Sequence, residues 1–119
     1  MASLFQPKRA GMALNMRNSS ITKNCLTYIC NSLTNPTFYI TGLSFKFCYL
    51  EFDQLLQLAD GLRFNKSIIK LDLSNNALKS CMVKFLFESL LDNYCLAHLD
   101  MSGNNLDNEF AVDLAHLLE

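Results

Sequence analysis

The residues best equipped for chemistry in this chain are five cysteines, Cys25, Cys30, Cys48, Cys81 and Cys95, and two histidines, His98 and His116. Zinc takes ligands in tight pairs, and neither a CxxC nor a comparable His and carboxylate spacing occurs, so no metal site is expected. An odd cysteine count argues equally against a disulfide framework. Reduced thiols packed as small apolar groups fit better, with Cys25 on a predicted core slot of a helix. Ser74 and Ser102 offer hydroxyls, but they stand at equivalent places in two near-copies, LDLSNNALK at 71–79 and LDMSGNNLD at 99–107. A hydroxyl that recurs with a repeat reads as a structural copy rather than a nucleophile. Gly103-Asn104 marks a turn, because no Gly-rich loop there leads into the Lys-Ser or Lys-Thr of a phosphate cradle. What remains is charge and hydrogen bonding, chiefly Asp72 and Asp100 with Lys70 and His98 nearby. These do not converge as a catalytic set, and no cofactor is implied.

The elements that position these groups follow from the repeat. Written as L-x-x-L-x-L-x-x-N-x-L, one copy places Ile68, Leu71, Leu73, Asn76 and Leu78 on the pattern. A second places Leu96, Leu99, Met101, Asn104 and Leu106, a step of 28 from position 68 to position 96. The same step backwards reaches Ile40, Leu43, Phe45, Cys48 and Leu50, and a step of 29 reaches Gly11, Leu14, Met16, Ser19 and Ile21. After each copy, apolar residues recur at four-residue spacing: Cys25, Ile29 and Leu33; Leu58 and Leu62 after Gln54; Met82, Leu86 and Leu90; Phe110, Leu114 and Leu118. Alternation followed by such a stripe predicts a strand and then a helix in every unit. Thr22, Ser80, and Asp107 or Asn108 suit N-cap positions, while Asn35-Pro36 and Asp92-Asn93 end the first and third helices. Gly61 falls inside the second stripe and should weaken that helix by about 1 kcal/mol relative to Ala.

On these residues the chain resembles leucine-rich repeats of the ribonuclease-inhibitor type, over units 11–39, 40–67, 68–95 and 96–119, preceded by a short N-terminal extension, 1–10. The resemblance implies an α/β solenoid, with a curved parallel sheet on the concave side and helices on the convex side. It also implies a turn ladder through Ser19, Cys48, Asn76 and Asn104, in which the Asn amide satisfies backbone groups of the bend. A thiol bonds weakly and a serine is short, so the ladder should be softer in the N-terminal half. The function implied is non-enzymatic protein binding. The alternative is a GTPase-activating regulator, since Ran GTPase-activating proteins are similar in architecture; Arg17 is the only strand arginine available for it. Because solenoids close their ends with polar caps and this sequence stops within the fourth predicted helix, a fragment or short isoform of a longer array is expected, or end-to-end self-association.

Strand alternation sends three columns outward: Ala13, Gly42, Lys70 and His98; Asn15, Ser44, Asp72 and Asp100; Arg17, Lys46, Ser74 and Ser102. From them the candidate partner-binding residues are Asn15, Arg17, Ser44, Lys46, Lys70, Asp72, Ser74, His98, Asp100 and Ser102. Asp72 and Asp100 should lie side by side, a like-charge contact. Two readings are open: a solvated face in which Lys70 and His98 offset the pair diagonally, or an acidic patch matched to a basic residue of a partner. Phe85 and Phe87 flank the buried Leu86 and could add a contact surface on the convex side.

Composition narrows the class. The 119 residues suit one domain, and half of them are hydrophobic. Ten Lys and Arg against eleven Asp and Glu give a net charge of -1, without the basic excess of a nucleic-acid binder. The opening MASLFQPKRAGMALNM lacks the apolar run of a signal peptide, and no stretch is long enough to cross a bilayer. An intracellular and mainly cytoplasmic setting is expected, with nuclear or ciliary placement compatible. The partner is an unspecified protein, with no membrane and no nucleic acid. The sequons at Asn18 and Asn65 carry little weight in such a setting.

Overall fold

The computed structural model describes residues 11–34, 39–108 and 110–112. Four strands alternate with three helices: β1 (Met12–Asn15), α1 (Lys23–Leu33), β2 (Ile40–Ser44), α2 (Phe52–Leu62), β3 (Lys70–Asp72), α3 (Ser80–Leu90) and β4 (His98–Asp100). The chain turns helical again at Asn108. The N-terminal extension 1–10, Asn35-Pro36, His116, Leu114 and Leu118 lie outside the described residues.

The strands form one parallel sheet in the order β1-β2-β3-β4. Leu14 pairs with Leu43, Leu43 with Leu71, and Leu71 with Leu99, so the leucines of successive units stand in adjacent rows. Each strand is short, three to five residues, because the bend that follows comes at a fixed place in the unit. Parallel strands need a crossover, and here an eleven-residue helix supplies it in each of the first three units. This is an α/β leucine-rich-repeat solenoid.

The core lies between sheet and helices. From the sheet side come Leu43, Phe45, Leu71, Leu73 and Met101; from the helices come Leu26, Leu55 and Val83, then Ile29, Leu58 and Leu86, then Leu33, Leu62 and Leu90. Each helix therefore buries the same face at the same place in the unit. Ile29, Leu33, Leu58, Leu62, Leu86 and Leu90 are buried as the four-residue spacing predicts, and only the first position of the stripe moves, from Cys25 to Leu26 and from Met82 to Val83. Cys25, expected in the core, is only half-buried at the rim, as is Met82, while Cys30 is enclosed. A helix covers more than one residue per turn on its inner face, so a strict i, i+4 row traces only one border of that face.

Helix starts show one departure from expectation. Thr22 caps α1, its Oγ1 accepting from the Cys25 N–H at 3.1 Å. Ser80 does not cap α3. It is the first helical residue, buried, and its Oγ accepts from the Asp107 N–H at 2.9 Å, tying one unit to the next. In α2 the Gln54 amide does double work, accepting from the Glu51 N–H at 2.8 Å and donating to the Ile21 carbonyl at 2.7 Å.

Two asparagine ladders knit the units. In the first, Asn76 Oδ1 accepts from the N–H groups of Cys48 and Leu50, and its Nδ2 donates to the carbonyls of Phe45, Leu73 and Ser74. Asn104 repeats this one unit on, receiving the N–H groups of Asn76 and Leu78. Cys48, in the same slot, only donates its thiol to the Met16 carbonyl at 2.9 Å and the Lys46 carbonyl at 3.6 Å. The second ladder lies at the helix-to-strand loops. Asn65 accepts from Ser67 and Ile68 and donates to the Leu33 carbonyl; Asn93 accepts from Cys95 and Leu96 and donates to the Leu62 and Asn65 carbonyls. Asn65 is thus a buried structural amide, which removes its sequon from the candidate modification sites.

Candidate docking face

The outward columns are set by the sheet register: Ala13, Gly42, Lys70 and His98 pair in sequence, and so do Asn15, Ser44, Asp72 and Asp100. Together with Leu14, Leu43, Leu71, Leu99 and Ala97 they line an open trough of about 720 Å³ on the concave side. Along it the first column changes from the small residues Ala13 and Gly42 on β1 and β2 to the long side chains of Lys70 and His98 on β3 and β4. Asn15, Arg17, Lys70, His98, Asp100 and Ser102 are exposed, and Ser44, Lys46 and Asp72 are half-buried.

Every residue of the central column also has a local task. Its side-chain oxygen accepts the backbone N–H two residues on: Asn15 from Arg17 at 2.9 Å, Ser44 from Lys46 at 3.4 Å, Asp72 from Ser74 at 2.9 Å and Asp100 from Ser102 at 2.9 Å. Such Asx and Ser turns fix the bend out of the strand. In the last two units the serine hydroxyl donates to the same Oδ1 at 2.6 Å. That bond corrects one expectation. Ser74 does not project outward: it is 2% exposed, and its hydroxyl donates to Asp72. Ser102, its counterpart, stays exposed.

Asp72 and Asp100 do stand directly opposite one another. Each commits Oδ1 to its own turn, and among the described residues Oδ2 takes no hydrogen bond. Neither Lys70 nor His98 closes an ion pair with them; the ion pair among the described residues is Arg63–Asp92, on the other side of the solenoid. Two hydrogen bonds from Ser102, hydroxyl first and backbone second, hold the Asp100 carboxyl below its ordinary value, and the Lys46 charge adds to this against a small opposing effect of burial. Lys46 itself lies with Nζ 5.7 Å from the centre of the Phe47 ring.

The residue before each ladder slot takes a left-handed conformation: Asn18 (φ 61), Phe47 (φ 56), Asn75 (φ 57) and Gly103 (φ 69). Asn and Gly tolerate it; a phenylalanine there is strained. Tyr49, after the slot, repeats the strain at φ 53, where the next unit has Ala77 at φ 56. The second unit therefore combines the weakest ladder residue with two aromatics in left-handed backbone, and both rings are exposed. Burial pushes the Cys48 thiol up, outweighing the backbone N–H groups of Ser19 and Asn18, and burial followed by the Asp60 charge raises Cys30. Both stay protonated thiols at neutral pH. The five cysteines are unpaired. No group of His, Cys, Asp and Glu among the described residues could hold a metal ion, and no helix among them is long and apolar enough to cross a membrane.

No protein-family model matches the chain. It is 35% identical over 91 residues to NACHT, LRR and PYD domains-containing protein 13 of Homo sapiens, covering 76% of this chain and 9% of that protein. It is 31% identical over 78 residues to NACHT, LRR and PYD domains-containing protein 4E of Mus musculus, covering 66% of this chain and 8% of that one. The chain thus spans less than a tenth of the length of these relatives. Among solved structures, the actin-binding site 2 fragment of leiomodin-1 superposes with a TM-score of 0.72 over 89% of this chain and 62% of the fragment, at 23% identity. Repeat period, sheet register, asparagine ladder and these likenesses agree: the chain is a leucine-rich-repeat solenoid whose sequence relatives are themselves proteins that contain such repeats.

Proposed function

We propose that the chain is a non-enzymatic protein-interaction module that docks a partner protein on its concave strand face, inside the cell, where free thiols persist. The observation that carries this reading is the trough of about 720 Å³ across all four strands, with two aligned carboxylates whose Oδ2 atoms are unclaimed. A basic side chain of the partner would satisfy both, since complementary charge steers and orients protein partners. Arg17 and Lys46 at the turn side, and Lys70 and His98 at the strand-entry side, would set its orientation. Units of 28 and 29 residues, each of the first three with a full eleven-residue helix, support the ribonuclease-inhibitor-like form of the repeat.

The test uses a property of the turns. Replacing Asp72 and Asp100 by Asn removes charge but keeps an Oδ1 to accept from Ser74 and Ser102, so the fold is retained. Affinity capture from cells, run with the native chain and with this double variant, should recover a partner only with the former. A partner held equally well by both would refute docking on this face.

A further inference from the structure

The convex side carries a feature that concave docking leaves unused. Phe87 is buried, its ring 5.6 Å from that of Phe110, but Phe85 turns outward and packs against Phe52 in a tilted pair, 5.4 Å between ring centres. Phe52, Leu56 and Phe85 remain 40%, 38% and 44% exposed. Phe52 and Leu56 are one turn apart on α2, and Phe85 faces them from α3, so the three form one apolar stripe along the N-terminal halves of neighbouring helices. From this stripe a groove of about 430 Å³ runs between the helices toward their C-terminal ends, where Asp60 and Glu88 line it.

The two acids occupy the same place in consecutive units, 28 residues apart in sequence, and both are exposed. Among the described residues neither has an ion-pair partner. Arg63, at the groove's end, is drawn to Asp92 at 3.5 Å, a contact too poorly aligned to give its buried Nε a hydrogen bond. Lys84, one turn before Glu88, closes no ion pair with it either. The groove's charged lining is Asp60 and Glu88 against Arg63 alone, and Arg63 leans to Asp92 outside it, so apolar surface at one end is followed by net negative charge at the other. Phe52 and Asp60 are eight residues apart on α2, a rise of about 12 Å.

We infer that this groove docks an amphipathic α-helix from a partner protein, with large apolar side chains at positions i and i+4 and a Lys or Arg near i+8. A helix laid along the groove has the same rise per residue as α2, so its apolar turn meets Phe52, Leu56 and Phe85 while its basic residue reaches Asp60 and Glu88. The charge favours one polarity: the reversed helix would leave Asp60 and Glu88 unmatched, a loss that a cation–π contact with the exposed aromatic pair only partly offsets. This surface faces away from the concave trough and is independent of docking there.

The probes are two stapled helical peptides, both with Leu at i and i+4, one with Arg and one with Glu at i+8. Fluorescence anisotropy at low ionic strength, where exposed charges are least screened, gives Kd for each against the full chain. The Arg peptide should bind at least about tenfold tighter than the Glu peptide. Asp60→Lys with Glu88→Lys should reverse that order. Phe85→Ser should weaken both peptides, whereas Asp72→Asn with Asp100→Asn should leave both unchanged. Circular dichroism of each variant separates lost binding from lost fold. Equal affinities for the two peptides, no binding of either, or indifference to Phe85→Ser would overturn the inference. So would concentration-dependent self-association that Phe85→Ser abolishes without any peptide binding, which would show the groove covered by a second copy of the chain.

Discussion

Replacing Asn76 with Ala tests how much the first ladder contributes to the solenoid. Asn76 is 3% exposed; its Oδ1 accepts two hydrogen bonds and its two Nδ2 hydrogens are shared among three carbonyls. Truncation leaves the N–H groups of Cys48 and Leu50 without an acceptor, and both residues are buried. An orphaned buried donor costs about 1–3 kcal/mol, while the three carbonyls are more tolerant because each keeps a second lone pair. The expected loss is therefore about 3–5 kcal/mol, a large share of the ~5–15 kcal/mol that holds a typical domain together. Asn104→Ala is the internal control. Asn104 makes a matching set of bonds and its loss also orphans buried N–H groups, those of Asn76 and Leu78, but Asn104 itself is only half-buried, so water reaches the vacated site and a smaller loss of about 2–3 kcal/mol is expected. Urea denaturation followed by circular dichroism measures both. If Asn76→Ala costs less than 1 kcal/mol, or no more than Asn104→Ala, buried amide satisfaction is not what holds the bend.

Phe47→Asn should stabilise by about 0.5–1 kcal/mol in the same assay, because relief of the left-handed strain exceeds the loss of an exposed cation–π contact with Lys46; a clear loss would show that the ring packs more firmly than its exposure suggests. Gly61→Ala should also stabilise, by about 0.5–1 kcal/mol, since the added Cβ would lie an ordinary 3.6 Å from Cys30 and Leu33; destabilisation would mean that α1 and α2 are already in hard contact. Asp100 has its pKa lowered by folding, so its contribution is present above the unfolded value of 3.8 and disappears as pH falls through the lower folded value. Ser102→Ala should move the Asp100 carboxyl back toward 3.8 in a carbon-13 NMR titration; an unmoved midpoint would remove the hydroxyl as the main cause.

The parts of the structure that were legible in the sequence are those governed by burial. Leu14, Leu43, Leu71 and Leu99 announced their rows because an inward strand position admits little besides an apolar side chain, while the ladder at Asn76 and Asn104 came with the family resemblance that those recurring residues help to carry. Hydrogen-bond commitments were harder to see. Alternation sends Asp72 outward whether its oxygen meets solvent or the Ser74 N–H, so the shared turn bond of the central column was invisible, and with it the burial of Ser74. The second ladder left a signal that could have been used: Asn65 and Asn93 each stand three residues before the first apolar slot, at Ile68 and Leu96. Backbone strain left none, because nothing about Phe47 or Tyr49 as residue types suggests positive φ; it follows only from their place beside the ladder slot.

The double duty of the central column bears directly on what the surface can evolve to do. A residue there must keep an oxygen for the N–H two positions on, which restricts it to Asn, Ser, Asp or a close relative. Within that set only Asp brings charge, so acidity is the one electrostatic choice open to the middle of the face. The first column is under no such constraint, and Ala13, Gly42, Lys70 and His98 span small, cationic and aromatic side chains. Partner choice should therefore reside mainly in the first column and at Arg17 and Lys46, with Asp72 and Asp100 as a fixed anchor. Exchanging Lys70 and His98 should change which partner binds, while Asp72→Asn with Asp100→Asn should change how tightly any partner binds. The opposite pattern in a binding series would show that the carboxylates select the partner.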